Sequence, residues 1–584
     1  MIFARPVRWR RTRRHERMLV SVVALLVLLF APVRSHADTA TAQRGMVATV
    51  HPLATAAGQA AFENGGNAAD AAIAAALMLG VVDGNNSGIG GGCFIVVRKA
   101  DGTLLAIDGR ETAPRRATRD MFLRDGKPDA SLSTTGPLAV ATPGALAAYA
   151  KLVEVAGKSK LAQLFEPAIE VAAHGFVIDG AYAGRLTLHA EKLRRFEGTR
   201  SALLRKGGQP YKAGETLRQE DLARTYRAIA EQGIDWFYQG KFAQHVGQWM
   251  ADNGGILSRE DFADYRPLTR SPVLSTYREL TIVGYPPPSS GGVHVAQVLN
   301  ILEPFDLAGM SELQRTHIMV EAMKRAFADR AHWLGDPDFA KVPRGLIDKG
   351  YALELAATID PKRATPVAGH GQPPRADEDF FGKHTTHIAA ADAEGNWVAI
   401  TSTLNTTFGS KVVVPGTGVV LNNQMDDFSA APGVPNAFGL VGAETNAIAP
   451  GKRPLSSMSP TIVLKNGSPV MTLGAAGGPK IITAVLQTIV NRFDLGMSTE
   501  AAVAKPRFHH QWVPDKLMVE PKFPAPLAKQ LEDLGHVVIR PKHVSRLQAI
   551  SREAVARDDD ESDEDVFEFV GVSDPRVPGK AGGH

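Results

Sequence analysis

Apolar and polar positions fall into short blocks whose period changes along the chain. Met46–Val50 reads as a strand, and Ala54–Glu63 carries helical spacing that stops at Gly65-Gly66. Asn67 then caps a helix over Ala68–Leu79, with Asp70 in its first turn. Glycines crowd Ser87–Gly92 and lead into a strand over Phe94–Val97. Asp101-Gly102 turns the chain into another over Leu104–Asp108. Residues 140 to 360 alternate helical patterns with polar loops, and the Pro- and Gly-rich stretch Pro366–Phe380 reads as a flexible connector. Two hairpins follow. One pairs Thr385–Ala391 with Trp397–Thr403, and the other pairs Thr461–Leu464 with Val470–Leu473 around Lys465-Asn466-Gly467. Gly474–Gly478 then opens a helix over Lys480–Phe493. Short paired strands between helices predict an α+β body with sheets sandwiched by helices.

Composition adds that 584 residues, 44% hydrophobic and 22% charged, suit a large soluble core. The formal charge of +4 invites a nucleic-acid reading. Its distribution removes that reading. Arginines crowd residues 5–17, an uncharged apolar run covers Met18–Val33, and Ser35-His36-Ala37 follows as small-x-small. This is the plan of a secretory signal, 1–37, with an uncleaved anchor as the alternative. The apolar run is shorter than the roughly 20 residues that span a bilayer. The segment carries eight arginines against one glutamate, so its loss takes the formal charge from +4 to −3. The mature protein is expected to be exported, periplasmic or extracellular, with no nucleic-acid partner. Cys93 is the single cysteine, so there is no intrachain disulfide, and its apolar setting reads as a small buried residue. The acidic run Asp558–Asp565 reads as a solvated loop.

No His-Glu-x-x-His, G-x-S-x-G, phosphate loop or paired C-x-x-C occurs. His509-His510 are neighbours that a strand would turn to opposite faces, which reads as structural. No metal or cofactor is expected. After the connector comes His384-Thr385-Thr386-His387. A cut before Thr385 would give one residue both a hydroxyl nucleophile and an α-amine. With an ordinary pKa of about 7.7–8, that amine can take the hydroxyl proton near neutral pH. By themselves these residues are equally ordinary strand positions.

Longer motifs decide between the two. Asp108-Gly109-Arg110-Glu111-Thr112-Ala113-Pro114, Pro286-Pro287-Pro288-Ser289-Ser290-Gly291-Gly292, Thr385-Thr386-His387 and Thr403-Leu404-Asn405-Thr406-Thr407-Phe408-Gly409 occur in that order. They are followed by Asn422–Phe428, Arg453–Pro460, Gly477-Gly478 and Pro506–Gln511. With them the chain resembles the γ-glutamyltranspeptidases (glutathione hydrolases), a family of N-terminal-nucleophile hydrolases. The resemblance implies a four-layer αββα sandwich built from one precursor that cuts itself between His384 and Thr385. Residues 38–384 would form a large subunit and 385–584 a small one. It implies Thr385 as nucleophile, Thr403 as the hydroxyl that orients it, and Gly477 and Gly478 as the oxyanion hole. Arg110, Ser456 and Ser457 would bind the donor's α-carboxylate, and Asp427, Asn405 and Gln424 its α-ammonium. The substrates implied are glutathione and other γ-glutamyl compounds, with water, amino acids or peptides as acceptors.

The chain departs from the family at His384, where several relatives have an amide, and at Phe438, where a lid tyrosine is common. Pro479-Lys480 replaces a frequent Ser-Arg, and the acidic run looks inserted. Two other readings stand beside the first: an acylase of glutaryl or cephalosporin-type amides, which needs no anion at Asp427, and an exported non-catalytic binding protein.

Overall fold

The hairpins read from the sequence assemble into two seven-stranded antiparallel sheets. In chain order their strands are β1 (Asp38–Ala42), β2 (Gly45–Thr49), β3 (Gly92–Arg98), β4 (Leu104–Gly109), β5 (Leu268–Arg270), β6 (Val273–Tyr277) and β7 (Leu280–Gly284). The remainder are β8 (Ala389–Asp392), β9 (Trp397–Thr403), β10 (Thr461–Lys465), β11 (Ser468–Ala476), β12 (Arg546–Ala554), β13 (Phe567–Ser573) and β14 (Lys580–Gly583). One sheet runs β1-β13-β12-β11-β10-β7-β6 and the other β14-β2-β8-β9-β3-β4-β5. Segments from both sides of residue 385 interleave in each sheet, so neither side could close a sheet alone.

The computed structural model describes residues 37–376, 388–541, 545–555 and 566–584. They belong to one unit, Ala37–His584. The expected export signal, the cut site at His384-Thr385 and the acidic run lie outside the described residues, as does the start of the strand expected from Thr385. Among the described residues no helix is long and apolar enough to cross a membrane.

Alternation within each strand sets the layers. In the second sheet Val47, Ile95, Val97, Ala390, Val398 and Ile400 point into one core, against helices α1 (Pro52–Glu63), α2 (Ala68–Val82) and α3 (Ala145–Ala156). Their neighbours Met46, Ala48, Phe94, Val96, Ala389 and Ala399 point into the other core, facing Met471, Leu473 and Ala549 of the first sheet. Helices α4 (Gly291–Leu302), α5 (Glu312–Trp333) and α6 (Lys480–Ile489) close the far side. This is the expected four-layer αββα sandwich.

Local signals held where they were strong. Asn67 and Asp70 form a reciprocal capping box on α2, a helix buried on every side. Asn466 and Gly467 both have positive φ, as the tight hairpin turn requires. Cys93 is fully buried, and burial pushes its thiol pKa well up. The connector differs from expectation. Its described part is pinned: Trp512 Nε1 donates to Val367 O at 2.8 Å, and Gly371 N donates to Asp329 Oδ1 at 2.7 Å. The helix expected over Lys480–Phe493 ends at Ile489 and passes into a wider turn over Val490–Asp494.

Candidate active site

The site lies at the end of β11, where the strand runs through Gly477-Gly478 into α6. Gly477 has φ 143° and Gly478 φ 62°, a region that side chains disfavour. A Cβ on Gly478 would also sit 2.6 Å from Cδ1 of Phe438. Two consecutive amides without side chains of their own thus stand at a helix N-terminus, an arrangement that favours a developing negative charge. Phe438 reaches them from the Pro432–Gly442 loop. Gln511 Nε2 holds that loop by donating to Gly439 O at 3.1 Å.

A cleft of about 320 Å³ opens here. Its walls include Arg110, Thr403, Asn405, Gln424, Asp427, Ser456, Ser457, Gly477 and Gly478. Every site residue expected from the sequence within the described segments is therefore brought to one cavity.

Arg110 is buried and aimed by its neighbours. Its own N–H donates to Asp108 Oδ1 at 2.7 Å, and Asp108 pairs with Arg453 at 3.1 Å. Its carbonyl accepts from Tyr265 OH at 2.8 Å and from Arg453 Nη1 at 2.6 Å. Its guanidinium donates from Nε to Pro454 O at 3.0 Å and from Nη2 to Asp427 Oδ2 at 2.6 Å, while Nη1 has no hydrogen-bond partner. Glu111 lies 3.7 Å from Nη1, but burial with no hydrogen bond to either carboxyl oxygen pushes its pKa up to about 8. Near neutral pH it is mostly protonated, which leaves Asp427 as the carboxylate in direct contact with the Arg110 guanidinium.

Asp427 ends a single turn, Gln424–Asp427, and also accepts from Gln424 Nε2 at 2.7 Å. Asn405, at φ 77°, donates from Nδ2 to Asn423 O at 3.0 Å. Its own N–H is accepted by Thr403 Oγ1 at 2.8 Å, which fixes that hydroxyl at the end of β9. The serine pair rests on the Pro286–Gly292 motif. Ser456 N donates to Pro288 O at 2.8 Å, and Ser290 Oγ donates to Ser456 O at 2.8 Å.

Sequence reasoning missed Arg330. It sits in the last turn of α5, where a basic residue reads as helix-end chemistry. In the fold it is buried, donating from Nε to Ser290 Oγ at 2.9 Å and from Nη2 to Ser457 Oγ at 3.0 Å. Burial lowers its pKa to about 10, opposed by Asp427, so it stays cationic at neutral pH. The cleft therefore gathers the Arg110 and Arg330 guanidiniums, the Asp427 carboxylate and the Ser456 and Ser457 hydroxyls around one end.

The family model described as Gamma-glutamyltranspeptidase matches residues 54–584. The chain belongs to the γ-glutamyltranspeptidase family. It is 43% identical to a glutathione hydrolase proenzyme of Escherichia coli strain K12 over 94% of this chain and 92% of that one. It is 40% identical to an acylase ACY 1 proenzyme of Pseudomonas sp. strain SE83, over 87% of this chain and 89% of that one. A solved cephalosporin acylase from Bacillus halodurans superposes with a TM-score of 0.82 at 28% identity, covering 95% of this chain and 98% of that one. Both kinds of named relative thus occur in the γ-glutamyltranspeptidase neighbourhood, and the cleft chemistry must separate them.

Outside the cleft, His317, Glu321 and His536 bring metal-ligating atoms together. Protein groups already engage these donors. His317 Nδ1 meets His536 Nε2 at 2.8 Å, its Nε2 meets Asp360 O at 2.8 Å, and Glu321 accepts from Lys324, Arg325 and Thr365. Two cations on that carboxylate do not suit a metal ion. His509 and His510 contact Thr483 and Asp515 rather than one another's face.

Proposed function

We propose that the chain is a γ-glutamyltransferase and glutathione hydrolase, carried out of the cytoplasm by residues 1–37 and matured by a cut before Thr385. The observation that carries the donor class is the Arg110–Asp427 pair at 2.6 Å in the cleft. A γ-glutamyl donor presents an α-carboxylate and an α-ammonium on one carbon, and such a zwitterion matches both partners at once. Its carboxylate takes Arg110, Ser456 and Ser457, with Arg330 behind Ser457. Its ammonium takes Asp427, Asn405 and Gln424. An acyl group lacking the ammonium leaves Asp427 unanswered.

Chemistry follows from this placement. The Thr385 hydroxyl attacks the γ-carbonyl while its own amine takes the proton. Gly477 and Gly478 N–H groups receive the oxyanion, each donor of this kind being worth about 3–4 kcal/mol. The amine leaves with a proton, and water or an acceptor amine then opens the ester. Earlier, in the precursor, the same hydroxyl attacks the His384 carbonyl and water hydrolyses the resulting ester. Two facts support the nucleophile's place. Ile388, three residues after Thr385, accepts from Ile400 N at 2.6 Å, and Thr403 stands three residues beyond Ile400. Large (38–384) and small (385–584) subunits stay joined because both contribute strands to each sheet.

The acylase reading is favoured by the acylase relatives alone. Parallel kinetics on γ-glutamyl-p-nitroanilide and glutaryl-p-nitroanilide separate the two. The γ-glutamyl donor should be preferred about 100-fold or more, the worth of a buried charge-assisted contact. Equal or better turnover of the glutaryl compound would assign the acylase activity instead.

A further inference from the structure

A second cavity of about 120 Å³ adjoins the donor cleft, and the two share Asn86, Thr401, Ser402, Ala476 and Arg546. The residues that recognise the glutamyl end, Arg110, Arg330, Asp427, Ser456 and Ser457, line the donor cleft alone. Arg546 opens β12 and pairs directly with Ala476, the residue before Gly477. Its backbone is thus fixed one residue from the expected oxyanion hole, and its side chain lines both spaces.

The charges around that cavity are otherwise taken. Asp83 accepts from Asn85 and Asn86 at 2.8 Å each and lies 3.5 Å from Arg185, which also donates to Asn85 Oδ1 at 2.7 Å. Arg576 is bonded to Glu520 and Asp574. Asp179 caps its own helix by accepting from Tyr182 N at 2.6 Å. Among the described residues Arg546 has no ion pair, and its Nε has no hydrogen-bond partner. Three buried hydroxyls on residues lining the same cavity, Ser87 Oγ, Tyr182 OH and Thr401 Oγ1, also lack partners among the described residues. Unpartnered buried polar atoms are rare in folded proteins, and here four of them belong to residues that line one space. That donor set is made for an anion with several lone pairs.

We propose that Arg546, with Ser87, Tyr182 and Thr401, forms a subsite for the terminal carboxylate of the peptide on the nitrogen side of the scissile amide. The ligand is cysteinylglycine as it leaves glutathione, and a peptide acceptor as it enters by the same route. This assignment rests on the γ-glutamyl reading. Two extended residues span about 7 Å, so the carboxylate of the leaving dipeptide falls within reach of a long side chain rooted one residue from the oxyanion hole. No bond is made or broken in the subsite. It holds the leaving peptide in line and gives peptide acceptors an advantage over water.

The test compares glutathione with its C-terminal glycinamide analogue as donors for the matured two-chain enzyme. The wild-type kcat/KM should favour the free acid by at least about tenfold, and R546M should bring the ratio to within about twofold of unity. R546K should keep part of the preference, because it retains the charge but not the fork. The wild-type ratio needs no variant, and thermal midpoints and chain cleavage show whether the variants have folded and matured. Equal rates on the two donors in the wild type, or a preference that survives R546M, would overturn the subsite. Failure of the matured wild-type enzyme to cleave either donor would overturn the γ-glutamyl reading beneath it.

Discussion

Replacing Asp427 by asparagine removes one charge and almost no volume from the cleft. The carboxylate is 10% exposed and accepts from Arg110 at 2.6 Å and Gln424 at 2.7 Å. In the proposed γ-glutamyl complex it would also answer the α-ammonium. A buried charge-assisted contact of this kind contributes about 1.5–3 kcal/mol, and removing one partner of a buried pair costs about 3–5 kcal/mol. Arg110 is fully buried and its Nη1 has no hydrogen-bond partner among the described residues, so in the free enzyme its charge would lose its contacting carboxylate. A loss of about 3–4 kcal/mol in transition-state binding is a fall of about 10²–10³ in kcat/KM for γ-glutamyl-p-nitroanilide. The glutaryl analogue has no ammonium to lose, so D427N should narrow the ratio between the two donors. The assay is anilide release by wild type and D427N on both substrates, with cleavage into two chains confirmed on a gel. An unchanged kcat/KM on the γ-glutamyl donor, or an equal fall on both, would refute the assignment of Asp427 to the ammonium.

G478A should lose at least about 100-fold in kcat while the fold persists, because its Cβ meets Phe438 at 2.6 Å beside an oxyanion donor; pairing it with F438A should restore part of that loss, and steady-state kinetics decide. R330M should raise KM for γ-glutamyl donors at least about tenfold, since Ser457 loses the group that orients it. R330K should do so less, and a kcat-only effect would contradict the positioning role. Glu111 is protonated in the fold up to about pH 8, against an ordinary carboxyl value of 4.5. The folded state thus holds a proton that the unfolded chain releases, so this group's stability contribution is complete below 4.5 and lost as pH rises toward 8. E111Q should therefore gain thermal midpoint over wild type between pH 5 and 8.5; parallel melting curves over that range would contradict the neutral carboxyl.

Much of the fold was legible because its signals are local. The Asn67–Asp70 box and the Asn466-Gly467 turn each work within four residues, and strand alternation then separates the two cores. The cleft was legible through motifs whose residues the fold gathers from distant places. Arg110 and Asp427, 317 positions apart, meet at 2.6 Å. What escaped the sequence depends on partners that no local pattern names. Arg330 reads as a helix-end charge until α5 packs it against Ser290 and Ser457. Arg546 looks like any basic strand residue until its lack of an ion pair among the described residues is visible. The connector's composition suggested freedom, yet its described part is held by Trp512, some 145 positions away. His317 and His536, 219 positions apart, likewise meet only through the tertiary fold.

The claim on which the rest depends is that Thr385 becomes an N-terminus. The most direct measurement runs purified protein on a denaturing gel and sequences the smaller band from its N-terminus. Two bands are predicted, the smaller beginning Thr-Thr-His-Ile, with T385A remaining one chain. A single uncut band from the wild type, or a cut at any other residue, would contradict the account.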